Sequence, residues 1–117
     1  IDEITLSGPT IVAELLNNEI KEYEISPTNF GIDISSLESL KVKDANESKQ
    51  IILDIFDNQP GPARDIVCLN AGATLYAANV VSNILEGVHR AKEVIAAGLA
   101  KQKLDALISL TQRLAVN

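Results

Sequence analysis

Few side chains in this sequence have the type and spacing to do chemistry, and the foremost are two adjacent carboxylates, Asp2 and Glu3, just ahead of an apolar stretch. Successive residues of a regular strand point to opposite faces, so on a strand the pair would not share one ion. At a strand entrance or in a loop they can, or they can serve two ions, or hold one ion directly and a water by the second. Mg2+ suits such a pair, because it takes few protein carboxylates, keeps waters and binds substrate phosphates. The plain structural alternative is a solvated acidic pair. Arg64-Asp65, after Gly61-Pro62, is the second candidate. In a helix's first turn an aspartate faces the positive end favourably and an arginine does not. A ligand, or a salt bridge fixing the helix start against the sheet, would compensate Arg64. His89, the only histidine, lies one residue past Val88 on an ordinary helix and reads as a solvated surface group. Cys68, the only cysteine, falls in a buried stretch and reads as a small core hydrophobe. No zinc-helix, phosphate-loop, dinucleotide or nucleophile-elbow motif is present, and no acid–base constellation is visible.

The surrounding chain has the composition of one globular domain: 117 residues, 46% apolar and 22% charged. Its net charge of −6 disfavours a face built for nucleic acid. A single cysteine makes neither an internal disulfide nor a cysteine-based zinc site, and a cytoplasmic setting fits it. No apolar run approaches membrane-spanning length. The sequence contains no methionine and opens with Ile1 inside an alternating pattern, so it is expected to be a piece of a longer protein whose missing part lies upstream. Charge divides unevenly: residues 1–65 carry 13 acidic and 5 basic side chains, residues 66–117 carry 3 and 5.

The elements that must position these groups fall in two blocks. The first is β-rich, with strands expected over about residues 3–25. Ile4, Leu6 and Thr10 to Leu16 read as strand interrupted at Ser7-Gly8-Pro9, since proline cannot donate to a ladder. Glu19 to Ile25 alternates, and Asn17-Asn18 between the runs predicts a tight hairpin turn. A connector over 32–43 follows, with room for a single helical turn. The second block is about four helices over residues 44–114. Asp44 with Glu47, and Asn83 with Glu86, have capping-box spacing. Pro62 suits a helix's first turn. Residues 66–81 are apolar almost all round, which predicts a buried central helix closely approached by its neighbours at its alanines and Gly72. Gly98 ends the third helix, and Leu104, Leu107, Ile108 and Leu110 are expected to face inward from the fourth.

Taken in order, several stretches resemble the C-terminal third of the anthranilate phosphoribosyltransferase family: Asp2-Glu3-Ile4-Thr5-Leu6-Ser7-Gly8-Pro9-Thr10; Glu22 to Ile25 with Ser26-Pro27 and Phe30-Gly31; Gly61-Pro62-Ala63-Arg64-Asp65-Ile66-Val67-Cys68-Leu69-Asn70-Ala71; and Glu86-Gly87-Val88 with Ala91 and Gly98. The resemblance covers essentially the whole chain. It implies an α/β domain of which residues 1–117 are the C-terminal part, preceded by the start of that domain and a small helical domain. It implies transfer of the phosphoribosyl group of 5-phosphoribosyl-1-pyrophosphate to anthranilate in tryptophan biosynthesis, a requirement for Mg2+, and a homodimer. It implies that Asp2 and Glu3 coordinate the magnesium of the pyrophosphate. The family's glycine-rich pyrophosphate loop and most anthranilate contacts would lie upstream. Val42-Lys43-Asp44 and Ser48 depart from the family's usual Gly-Gly-Asp and Asn, and Gly72 stands where alanine is common. Three other readings remain: a pyrimidine nucleoside phosphorylase-like enzyme, against which the Asp-Glu pair argues; a non-catalytic nucleic-acid-binding homologue, disfavoured by charge; and a hairpin-plus-helices interaction module.

Overall fold

A computed structural model describes residues 3–115, which form a two-stranded antiparallel hairpin followed by four helices. Strands β1 (Thr10–Leu16) and β2 (Glu19–Ile25) pair with Thr10 opposite Ile25 and Leu16 opposite Glu19. Asn17 and Asn18 both adopt positive φ, 53° and 64°, the backbone that a two-residue hairpin turn requires. Alternation puts Val12, Glu14, Tyr23 and Ile25 on one face and Ile11, Leu15, Ile20, Glu22 and Glu24 on the other. The first face lies against the helices, with Ile25 in the core and Val12 and Tyr23 packed on it. The second face is open.

Two short 3₁₀ turns, Pro27–Phe30 and Leu37–Leu40, lead to α1 (Ala45–Phe56), α2 (Pro62–Ala77), α3 (Ile84–Ala96) and α4 (Leu99–Leu114). The caps of α1 and α3 follow the spacing noted above. Asp44 Oδ1 accepts from Glu47 N at 2.9 Å, and Asn83 Oδ1 accepts from Glu86 N at 2.8 Å. Each glutamate reaches back one residue beyond its cap: Glu47 Oε2 accepts from Lys43 N at 2.7 Å, and Glu86 Oε2 from Ser82 N at 2.9 Å. The departure at Val42-Lys43 therefore keeps a working helix start.

The core joins the two blocks: Leu6, Ile25, Phe30 and Ile32 from the first, Ile55, Cys68, Leu69, Val88, Ala91 and Ile95 from the second. Leu6, Leu69 and Val88 are wholly buried, and each such side chain contributes about 1.5–3 kcal/mol relative to an exposed one. Helices α2 and α3 approach most closely at two glycines. A Cβ on Gly87 would lie 2.2 Å from Gly72 O, and one on Gly72 would lie 2.5 Å from Val88 N.

Three expectations are corrected. The ladder begins at Thr10, and Ile4 and Leu6 lie outside it, because the main chain of Ile4 bonds to a helix side chain instead. Helix α2 ends at Ala77 and is only half-covered along most of its length, with Cys68, Leu69 and Gly72 buried. Helix α4 buries no residue, and Leu107, Ile108 and Leu110 are exposed. It lies at the edge, where Leu104 and Ile108 share a shallow groove with Ile52 and Leu53 of α1. Lys101 Nζ joins Asp57 Oδ1 at 2.5 Å there, an exposed pair of small energetic weight.

The glycine crossing yields a direct expectation. Gly87→Ala drives a methyl into backbone that cannot rotate away, so it should lower stability by about 1–3 kcal/mol or more. Urea unfolding reads this as a lower midpoint with an unchanged slope; an unchanged midpoint would show that the helices are not in contact there.

Candidate functional site

The opening segment, residues 3–9, carries the foremost candidate. Asp2 lies outside the described residues. Glu3 is exposed at the head of the segment. Behind it the chain is tied at three successive residues. Ile4 N donates to Asn70 Oδ1 at 3.0 Å, and Asn70 Nδ2 donates to Ile4 O at 3.0 Å. Thr5 is buried; its N–H donates to Thr10 Oγ1 at 3.4 Å, and its Oγ1 accepts from Ser7 N at 3.1 Å and lies 2.9 Å from Ser7 Oγ. Leu6 fills the core, and Ser35 N donates to its carbonyl at 3.0 Å. In a segment that belongs to no ladder, Ile4 N and O, Thr5 N, Leu6 O and Ser7 N thus find partners in side chains and a neighbouring loop.

No group of three or more His, Cys, Asp or Glu able to hold a metal occurs among the described residues. Of the acidic pair only Glu3 is described, and its exposed carboxylate is a hard oxygen donor of the kind Mg2+ accepts alongside phosphates and waters.

The other sequence candidates have structural surroundings. Arg64 Nη1 donates to Asn58 O at 3.2 Å and Asn58 Oδ1 at 2.9 Å, so it ties the start of α2 to the turn after α1, and among the described residues it forms no salt bridge to the sheet. Asn58 has a positive φ of 61°, and the arginine braces that turn. Cys68 is fully buried, and burial pushes its thiol up, outweighing the opposing pull of Lys92 and Arg64. It is a core residue and not a poised nucleophile. His89 is exposed on α3 beside Glu86, Arg90 and Glu93.

One cluster escaped the sequence reading. Tyr76 on α2 donates its hydroxyl to Glu14 on β1, and Tyr23 on β2 stands beside the same carboxylate. These are the only tyrosines in the chain. They line a cleft of about 460 Å3 between the hairpin and α2, together with Val12, Ala73 and Ala77. The available signal was Glu14 itself, a charge at an inward position of an otherwise apolar run. Both tyrosines are shifted upward: Tyr76 first by its bond to Glu14, Tyr23 first by burial and then by the charge of Glu14.

The described residues thus form a helical layer with a hairpin and an opening segment tied to the central helix. The family model described as "Glycosyl transferase family, a/b domain" matches residues 1–101, and the chain belongs to that family. Within it the chain is similar to anthranilate phosphoribosyltransferases. It is 52% identical over 115 residues to that of Laribacter hongkongensis, covering 98% of this chain and 34% of the relative. The Dechloromonas aromatica enzyme matches at 52% over the same coverage. The crystal structure of anthranilate phosphoribosyltransferase from Thermus thermophilus superposes with a TM-score of 0.85 at 32% identity, over 93% of this chain and 32% of that one. The chain therefore spans about a third of the length of the relatives it matches. No helix among the described residues is long and apolar enough to cross a membrane.

The tyrosine shifts set a pH expectation. A group whose folded-state pKa is raised contributes stability that is complete below its unfolded pKa and is lost as pH climbs through the folded value. Stability should therefore fall as pH rises above about 10, the ordinary tyrosine value. Tyr76→Phe, which cannot donate to Glu14, should lower stability at neutral pH and flatten that alkaline fall. Urea midpoints between about pH 8 and pH 12 check this; parallel curves for the two proteins would contradict it.

Proposed function

We propose that the protein to which this chain belongs transfers the 5-phosphoribosyl group of 5-phosphoribosyl-1-pyrophosphate to the amine of anthranilate, giving N-(5-phosphoribosyl)anthranilate and pyrophosphate in tryptophan biosynthesis. The observation that carries this reading is the 52% identity to anthranilate phosphoribosyltransferases over 98% of the chain. Residues 1–117 are on this reading the C-terminal part of the α/β domain, and the rest of the enzyme supplies the pyrophosphate loop and most anthranilate contacts. A homodimer accords with the resemblance, and a cytoplasmic setting with a single reduced, buried cysteine.

The reaction is a displacement at the anomeric carbon: the bond from that carbon to pyrophosphate breaks, a bond to the anthranilate nitrogen forms, and the nitrogen gives up a proton. On this reading Asp2 and Glu3 would hold Mg2+, and the ion when bound would offset the charge of the leaving pyrophosphate. Their role would be to bind the ion and not to move a proton. The aromatic amine is itself the nucleophile, so no strong base is required of this part of the chain. His89, exposed on α3, takes no part.

Loss of anthranilate fluorescence on addition of 5-phosphoribosyl-1-pyrophosphate to the full-length protein tests the reading, with and without Mg2+. The expected result is magnesium-dependent loss. Asp2→Ala with Glu3→Ala should cut turnover by about 100-fold or more, given what even outer-shell partners of a metal contribute, and should raise the magnesium requirement. No fluorescence loss in the folded full-length protein would overturn the activity; near-normal kinetics in the double variant would overturn the metal assignment. The 117-residue chain alone should show no turnover.

A further inference from the structure

We propose that Asn70 is a positioning residue for the metal-binding carboxylate of Glu3: its carboxamide fixes the main chain at Ile4 and with it the peptide that joins Ile4 to Glu3. This rests on the reading of Asp2 and Glu3 as magnesium ligands given above.

The geometry allows one orientation of the carboxamide. Asn70 Nδ2 donates to Ile4 O and to Ile66 O, each at 3.0 Å, using both of its hydrogens, while Oδ1 accepts from Ile4 N at 3.0 Å. Only the nitrogen can donate to two carbonyls, so a flipped amide would lose all three bonds. The bond to Ile66 O, one helical turn back, holds the side chain to its own helix. The remaining two bonds take both polar groups of Ile4, as a neighbouring strand would. That is how the backbone of Ile4 is satisfied without a strand partner.

The bond at Ile4 N reaches the metal ligands through the peptide plane. The amide of Ile4 belongs to the planar unit that also contains Cα of Glu3. Holding the N–H and the carbonyl oxygen of Ile4 therefore limits where Glu3 Cα can lie, and so where its carboxylate can reach. The anchor comes from 66 positions along the chain, from the helix that meets α3 backbone to backbone at Gly72, so Glu3 is tied to the frame of α2. Leu6 in the core and Ser35 on its carbonyl secure the far end of the segment, but neither touches the Glu3–Ile4 peptide.

The test uses the full-length protein with pyrophosphate present and Mn2+ as a paramagnetic stand-in for magnesium, bound and free ion being distinguished by electron paramagnetic resonance. Asn70→Ala should weaken Mn2+ binding about 10-fold, the scale of an outer-shell contribution. In the Asp2→Ala, Glu3→Ala background the same substitution should weaken it no further. Asn70→Ser, which also removes both bonds to Ile4 but retains a helix-facing hydroxyl, is read in the same way should the alanine variant fail to fold. A lowered melting temperature with unchanged Mn2+ affinity would reduce Asn70 to a structural role and overturn the inference. Equal weakening in both backgrounds would overturn it too. Should Asp2→Ala with Glu3→Ala leave Mn2+ binding intact, the metal reading itself falls, and the positioning role falls with it.

Discussion

Two glycine residues in contact set the geometry on which the other parts depend. Gly72 on α2 and Gly87 on α3 leave no space for even one methyl group between them, since a Cβ on either would meet backbone of the other helix within 2.5 Å. The two helices consequently pack backbone to backbone, and Cys68, Leu69 and Val88 close the contact without exposure. Interiors at this density transmit displacement instead of absorbing it. Whatever else is attached to α2 is held in a fixed frame.

Three attachments use that frame. Near its first turn, Arg64 braces the Asn58 turn that brings the chain in from α1. Near its last turn, Tyr76 reaches the carboxylate of Glu14 and holds the hairpin. Between them, Asn70 takes the main chain of the opening segment. Residues two apart on a helix point about 200° from one another, so Asn70 faces away from the side that Gly72 presents to α3. One helix thus serves packing on one side and the candidate site on the other. A hairpin of two strands has little stability of its own, and the opening segment has no strand partner at all. Both acquire their order from α2.

The parts legible in the sequence were those settled by neighbouring residues. Asn17-Asn18 specified a turn with two positive φ values, and Asp44 and Asn83 specified helix starts through glutamates three residues on. Pro62, Gly98 and the buried Cys68 were readable for the same reason. The failures all involve distance along the chain. Ile4 and Leu6 alternate like a strand, and nothing local reveals that the partner of Ile4 is a side chain 66 positions away. The apolar stripe of α4 has the period of a core-facing helix, yet Leu107 and Leu110 lie exposed in this chain. Glu14 was one residue of the run read as strand, and the two tyrosines beside it come from different elements. For the acidic pair, residue chemistry left a metal site and a solvated surface pair both open. The resemblance to a phosphoribosyltransferase family, and not spacing, gave it a role.

The central claim is that the acidic opening segment is ordered by its bonds to α2, and hydrogen exchange at the amide of Ile4 tests it most directly. That N–H belongs to a half-buried residue and donates to Asn70. The account predicts that it exchanges slowly, opening with the α2 amides that surround Leu69, and that in Asn70→Ala it exchanges far faster while those α2 amides stay protected. Equal exchange of the Ile4 amide in the two proteins would contradict it, and would leave the segment held by the burial of Leu6 alone.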